Sequence, residues 1–283
     1  MAGPRKSLHL VLVGTSVLRN SSRLLGGDCG VLAGRCGDPR APEPETCSRL
    51  LGECLGEAVE LVAERPGVLS AELNAMDWVL ASRCSGVEEV RLLASDTEPG
   101  RAAAEILRGA LEKLCPGVRT VVETVPGLGR REAGFWPGLI DLVKTVVGHA
   151  REAYGRGLLV YLNATGGFKP ESAAALLAAS AAAPVTAYYK HEAMRETVVL
   201  PQLPVTVDAG RLRAAMSLLH AAAEEDEVDP WDPRYEQIAW ILWFMYSSHS
   251  FRTRDGRIVV DERARETFKV LASIYEYLVR LLS

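Results

Sequence analysis

The chain has 283 residues, 48% of them hydrophobic and 24% charged, an ordinary balance for a soluble globular protein with room for one large domain and a small one. A formal net charge of −4 excludes a surface that attracts nucleic acid as a whole, so a site for an anionic ligand has to be a local patch. The run Leu8 to Val13 is too short for a secretory core and the alanine-rich run Ala173 to Ala183 too short to span a bilayer, so a cytoplasmic protein with no membrane partner is expected.

Leu8 to Val13, apolar except for His9, reads as a first strand, with Gly14-Thr15-Ser16 as its exit into a helix from about Val17 to Leu25. The stretch Gly26 to Glu45, rich in Gly, Pro, Asp and Cys, reads as a loop or insertion. Helical periodicity returns over Thr46 to Glu64, and Ser70 to Ser82 reads as a further helix after the break at Pro66-Gly67. Strands are predicted over Val87 to Ala94, Val118 to Val125 and Leu158 to Leu162. The helices Glu98 to Leu114, Trp136 to Tyr154 and Pro170 to Ala183 follow them in turn. Two short strands, Val185 to Lys190 and Glu196 to Leu200, close this part. The alternation predicts an α/β fold over residues 1–203: a Rossmann-like, mainly parallel sheet flanked by helices, with a hairpin at one edge.

Past a linker at Pro201 to Asp208 the pattern changes. Helices are predicted over Arg211 to Glu225, Tyr235 to Ser247 and Asp261 to Leu282, with an Asp255-Gly256 hairpin between His249 and Val260. Residues 204–283 read as a smaller, mostly helical domain of winged-helix type. From Asp208 to the end there are ten basic and thirteen acidic residues, which argues against DNA as its partner. Six cysteines (Cys29, Cys36, Cys47, Cys54, Cys84 and Cys115) contain no CxxC pair, so buried thiols are favoured over a zinc site; disulfides would suit a hyperthermophilic source.

In an open parallel sheet, ligands sit beyond the carboxyl ends of the strands. Four loops with chemical potential lie at such ends. Two glycines before a helix, in Asn163-Ala164-Thr165-Gly166-Gly167-Phe168-Lys169, let backbone amides approach an anion, and Lys169 adds a full charge. Gly14, Thr15 and Ser16 follow the first strand; the Ser16 hydroxyl suits a phosphate or ribose contact, and Thr15 or Ser16 equally suits a helix cap. Ser95 ends another strand. Arg130 and Arg131 follow a glycine turn and could clamp a phosphate or lie solvated. There is no G-x4-G-K-[ST] P-loop and no G-x-G-x-x-G after the first strand. No cofactor or metal is expected. Arg213 and His220 show an R-x6-H spacing of the kind seen in metal-independent ribonucleases, read here as chance.

Gly14-Thr15-Ser16 after the first strand, together with Leu162-Asn163-Ala164-Thr165-Gly166-Gly167-Phe168-Lys169-Pro170, resembles the CRISPR-associated Rossmann-fold (CARF) family over roughly residues 7–200. The closest likeness is to its archaeal ring nuclease branch with a short C-terminal domain. The resemblance implies a homodimer whose paired loops bind cyclic tetra-adenylate. It further implies a metal-independent cleavage of that ligand by 2′-hydroxyl attack, leaving a 2′,3′-cyclic phosphate. By that resemblance Ser16, Lys169 and Arg131 are the catalytic positions. Gly14, Thr15, Ser95, Arg130, Asn163, Thr165, Gly166, Gly167 and Phe168 are ligand contacts. A sensor that binds the same ligand without cleaving it, and signals through its C-terminal domain, is the alternative.

Overall fold

The computed structural model describes residues 6–38, 44–128, 135–182, 184–191, 193–201, 208–248 and 251–282. The chain divides into two compact units, Met1–Val205 and Thr206–Ser283. The first is built on a six-stranded sheet of order β3-β2-β1-β4-β5-β6, from Ser7–Leu12 (β1), Val87–Ser95 (β2), Arg119–Val125 (β3), Leu159–Asn163 (β4), Val185–Tyr189 (β5) and Val198–Val199 (β6). All pairings are parallel except β5 with β6, which is antiparallel. This is the α/β architecture that the strand–helix alternation predicts. Strand order reverses between β1 and β4, so the crevice beyond their carboxyl ends is the place such a sheet offers a ligand.

Alternating residues of β1 face opposite layers. Val11 joins one core with Val90 and Leu92 of β2 and with helices Ser16–Ser22 (α1), Gly27–Cys36 (α2), Pro44–Glu53 (α3), Leu55–Glu64 (α4) and Glu98–Leu114 (α8). The intervening β2 residues Glu89 and Arg91 look the other way, toward Phe135–Gly155 (α9), where Arg91 approaches His149. Helix Lys169–Ala182 (α10) packs on α9 and against β5.

Three expectations fail here. The stretch 26–45 contains the helix α2 rather than a loop alone. Leu32, Ala33 and Cys36 are buried along it, and Gly30 lies where an added Cβ would stand 2.5 Å from the Leu25 carbonyl oxygen. Its glycines thus serve close packing against the end of α1, which composition alone reads as turn chemistry. Nor are the cysteines buried thiols. All six are paired, as Cys29–Cys54, Cys36–Cys47 and Cys84–Cys115, with Cα separations of 5.6, 4.9 and 5.5 Å. The first two tie α2 to its successors; the third ties the start of β2 to the end of α8. The helix predicted over Ser70 to Ser82 is two short ones, Ala71–Ala75 (α6) and Asp77–Ala81 (α7), preceded by Pro66–Leu69 (α5).

The second unit has helices Ala209–Glu224 (α11), Ala239–Ser247 (α12) and Glu262–Leu282 (α13) around a sheet of order β7-β9-β8, from Glu227–Val228 (β7), Thr253–Arg254 (β8) and Arg257–Val259 (β9). Asp255 and Gly256 both take positive φ, 47° and 78°, the geometry of a two-residue hairpin turn. Strand β7 goes unpredicted, being only two residues long. Pro233–Ile238 forms a 3₁₀ turn ahead of α12, where one continuous helix is expected from the pattern. Leu219, Tyr235, Ile238, Leu242, Met245, Ile258 and Phe268 form the core. Among the described residues no helix is long and apolar enough to cross a membrane.

Candidate functional site

Strands β1 and β4 run side by side, with Val11 opposite Asn163, so their exit loops leave the sheet together. The loops touch. A Cβ added at Gly14 would lie 3.1 Å from the Gly167 amide nitrogen. A Cβ added at Gly166 would lie 2.2 Å from the Leu12 carbonyl oxygen and 2.4 Å from Glu72 Oε1, so only glycine fits there. Gly167 takes φ +80°, turning the chain into α10.

Glu72, on α6, stands behind both loops and is fully buried. Its Oε1 accepts the Gly14 amide at 2.8 Å, and its Oε2 accepts the Ser70 hydroxyl at 2.7 Å. Burial pushes its carboxyl above the ordinary carboxylate range, with the Ser70 and Gly14 bonds pulling the other way. Ser70 also caps α6 by accepting the Leu73 amide at 3.1 Å, and Asn20 of α1 donates to the Leu69 carbonyl at 3.1 Å, which fixes this corner. Sequence reading missed Glu72, because an acid in a first helical turn carries no mark of burial.

Asn163 is likewise fully buried. Its Nδ2 donates to the Glu72 carbonyl at 2.9 Å and its Oδ1 accepts the Thr165 amide at 3.1 Å. Asn163 therefore shapes the glycine loop from beneath. The Thr165 hydroxyl accepts the Lys190 amide at 3.2 Å, and the Lys190 ammonium pairs with Asp77. Glu171 Oε2 accepts the Phe168 amide at 3.0 Å, half of a capping box at the start of α10, and the Ser172 hydroxyl donates to the Gly166 carbonyl at 3.1 Å.

Two amides that an anion could use, those of Gly14 and Phe168, are therefore engaged by internal carboxylates. The amides of Gly166 and Gly167 make no hydrogen bond with a described residue. The same is true of the Ser16 hydroxyl, at the first residue of α1, and Thr15 ahead of it gives no side-chain cap bond. Lys169 is exposed at the first turn of the 14-residue α10, and Phe168 beside it is 61% exposed. These uncommitted groups lie on two adjacent exit loops in front of the buried Glu72, with Gly166 itself buried and Gly167 exposed, and open donors at a helix start favour an anion.

The remaining sequence candidates fall elsewhere. The Ser95 hydroxyl lies 2.7 Å from the Thr97 hydroxyl, and Thr97 caps α8 by accepting the Gly100 amide at 3.2 Å, so Ser95 serves a helix start. Arg130 and Arg131 lie outside the described residues. His9 is 1% exposed, stacked on Tyr161 with ring centroids 4.8 Å apart, and burial lowers its pKa to about 4. Its Nδ1 lies 3.2 Å from the Tyr188 hydroxyl. Among the described residues no group of three or more His, Cys, Asp or Glu side chains is arranged to hold a metal ion.

Residues 68–203 match a family described as CRISPR-associated protein (Cas_APE2256). The match is confined to this segment. It takes in Glu72 and the whole glycine loop, and stops short of Gly14–Ser16 and the second unit. Among solved structures, Can2 from Sulfobacillus thermosulfidooxidans in complex with cyclic tetra-adenylate aligns with 96% of this chain at 11% identity and a TM-score of 0.32. The alignment spans 65% of that chain's length.

Proposed function

We propose that the crevice between the β1 and β4 loops binds cyclic tetra-adenylate, and that two copies of the chain pair their loops around one such ring and open it without a metal ion. The observation that carries the reading is the set of uncommitted donors at the switch point: the Gly166 and Gly167 amides, the Ser16 hydroxyl and the Lys169 ammonium. They lie in, or directly against, the segment that matches a CRISPR-associated family.

In the proposed reaction a ribose 2′-oxygen attacks the adjacent phosphorus. The new O2′–P bond forms as the P–O5′ bond breaks, and the proton from the 2′-hydroxyl ends on the departing 5′-oxygen. The products are linear and carry a 2′,3′-cyclic phosphate. Lys169 and the two glycine amides stabilise charge growing on the non-bridging oxygens. Ser16 holds the attacking ribose in line, where orientation can be worth several kcal/mol. Arg131 is assigned a share of the phosphate clamp, with Arg130 beside it. Glu72 and Asn163 act at one remove, by fixing the loops.

The test is incubation of the full chain with labelled cyclic tetra-adenylate in EDTA. Linear products ending in a cyclic phosphate support the enzyme. Binding without turnover leaves the sensor reading and overturns the ring nuclease. Loss of cleavage in EDTA overturns the metal-independent mechanism.

A further inference from the structure

On the face of the sheet that carries Val11, the β4–β6 side holds a cavity of about 510 Å³ that shares no lining residue with the phosphate loops. Its floor is set by strand register. Tyr161 of β4 lies beside Thr186 of β5, and Tyr188 two residues on lies beside Val199 of β6. Trp78 of α7 packs directly against both tyrosine rings at the edge of the cavity. Its indole stands 5.5 Å from the Tyr161 ring at 60° and 5.8 Å from the Tyr188 ring at 83°. The exposed Trp78 and the half-buried Tyr161 thus offer aromatic surfaces inclined at 60°, with the buried Tyr188 beneath them, so a flat ring can stack on one and meet the other edge-on.

The floor is rigid and the mouth is polar. Tyr188 is buried and held by His9, while Trp78 keeps 44% of its surface exposed. Asp77, on the near wall, is engaged by Lys190 and by the Thr197 hydroxyl at 3.1 Å. Thr186, Arg195 and Glu196 also line the cavity, are exposed, and their side chains make no hydrogen bond or ion pair with a described residue. They supply a hydroxyl, a planar donor and a carboxylate acceptor around an apolar slot. A hydrocarbon could bond none of the three. A heteroaromatic ring with donors and acceptors on its edge satisfies them, and the volume is of the size class that encloses a small ligand.

We propose that this cavity is a nucleobase pocket, suited to a two-ring purine and able to bind a nucleoside that carries no phosphate. The proposal is independent of the phosphate-loop reading, because none of its walls belongs to those loops.

The probe is adenosine, titrated into the isotope-labelled full chain while the tryptophan indole resonances are followed by NMR. The Trp78 resonance is assigned by its loss in Trp78→Phe. Saturable movement of that resonance is expected, unchanged in Lys169→Ala. Thr186→Arg, which fills the slot from an exposed position, should weaken adenosine at least tenfold while leaving the far-UV circular dichroism unchanged. An unmoved Trp78 resonance, or equal affinity in Thr186→Arg, overturns the pocket. So does a shift in sedimentation coefficient caused by Thr186→Arg with no effect of adenosine, since the face would then join two copies of the chain. Loss of cyclic tetra-adenylate binding in Lys169→Ala with adenosine binding retained separates the two sites.

Discussion

After β2, the polar groups of Ser95, Asp96 and Thr97 are turned inward: the two hydroxyls bond each other, Thr97 caps α8, and Asp96 accepts the Gly127 amide at 3.1 Å. After β1 and β4, on the same edge of the same sheet, Ser16, Gly166, Gly167 and Lys169 keep theirs. The strands beneath differ in the same sense. Between β2, β3 and α9 the contacts are ionic: Arg91 pairs with Glu89 at 2.6 Å and with Glu123 at 2.8 Å, and Glu123 also meets His149 at 2.7 Å. Beneath β1 and β4 lie His9, Asn163 and Glu72, all buried and none paired with an opposite charge. An ion pair closed within the fold uses up its charges there, whereas burial without a counter-charge disfavours the charged forms of His9 and Glu72. The outer loop therefore spends its polar groups on the fold, and the central pair keeps several of its donors unspent.

This contrast can be broken at several points. Gly166→Ala should have the largest effect, because Leu12 backbone stands in the way of the new methyl; a loss of about 3 kcal/mol in urea unfolding is expected. An unchanged midpoint would mean that the two loops do not meet as described.

The buried groups predict pH dependence of opposite signs. His9 titrates near 4 when folded and near 6.5 when unfolded, so the unfolded chain binds the extra proton between those values. Stability should fall by up to about 3 kcal/mol as pH drops from 6.5 to 4, and His9→Phe should remove that component. Glu72 acts in reverse. Its raised folded pKa makes the folded chain hold the proton longer, so stability declines as pH rises above the unfolded value of 4.5. Glu72→Gln should flatten that decline and raise stability at neutral pH. A Gln variant with the wild-type slope would show that Glu72 keeps its ordinary pKa.

On the ligand side, Lys169→Ala should weaken cyclic tetra-adenylate about 30-fold, roughly 2 kcal/mol, by fluorescence anisotropy, with the unfolding midpoint unmoved. Ser95→Ala should show the converse: about 1 kcal/mol lost in stability and no change in affinity. If Ser95→Ala weakened the ligand as much as Lys169→Ala, the division between the outer loop and the central pair would collapse.

Much of this was legible in order along the chain. The apolar β1, the β-branched β3 and the amphipathic α8 each follow from local periodicity, and so does the placing of every glycine loop at a carboxyl end. Local pattern also marks Gly166, Gly167 and Lys169, because glycines before a helix and an adjacent lysine are neighbours in sequence. Glu72 is 58 residues from the Gly14 amide it accepts and Asn163 is 91 from the Glu72 carbonyl, so nothing local signals either. The α2 helix was hidden by glycines whose purpose is close approach to another segment, and cysteine pairing depends on which helices pack together.

The sequence by itself determined the alternation of strand and helix, and with it which loops share the carboxyl edge of the sheet, since both follow from side-chain period and chain direction. Only the tertiary structure decided which of those loops keep their donors unspent. That choice depends on buried partners brought in from distant segments, and a hydrogen bond closed within the fold removes a group that the residue type alone would offer.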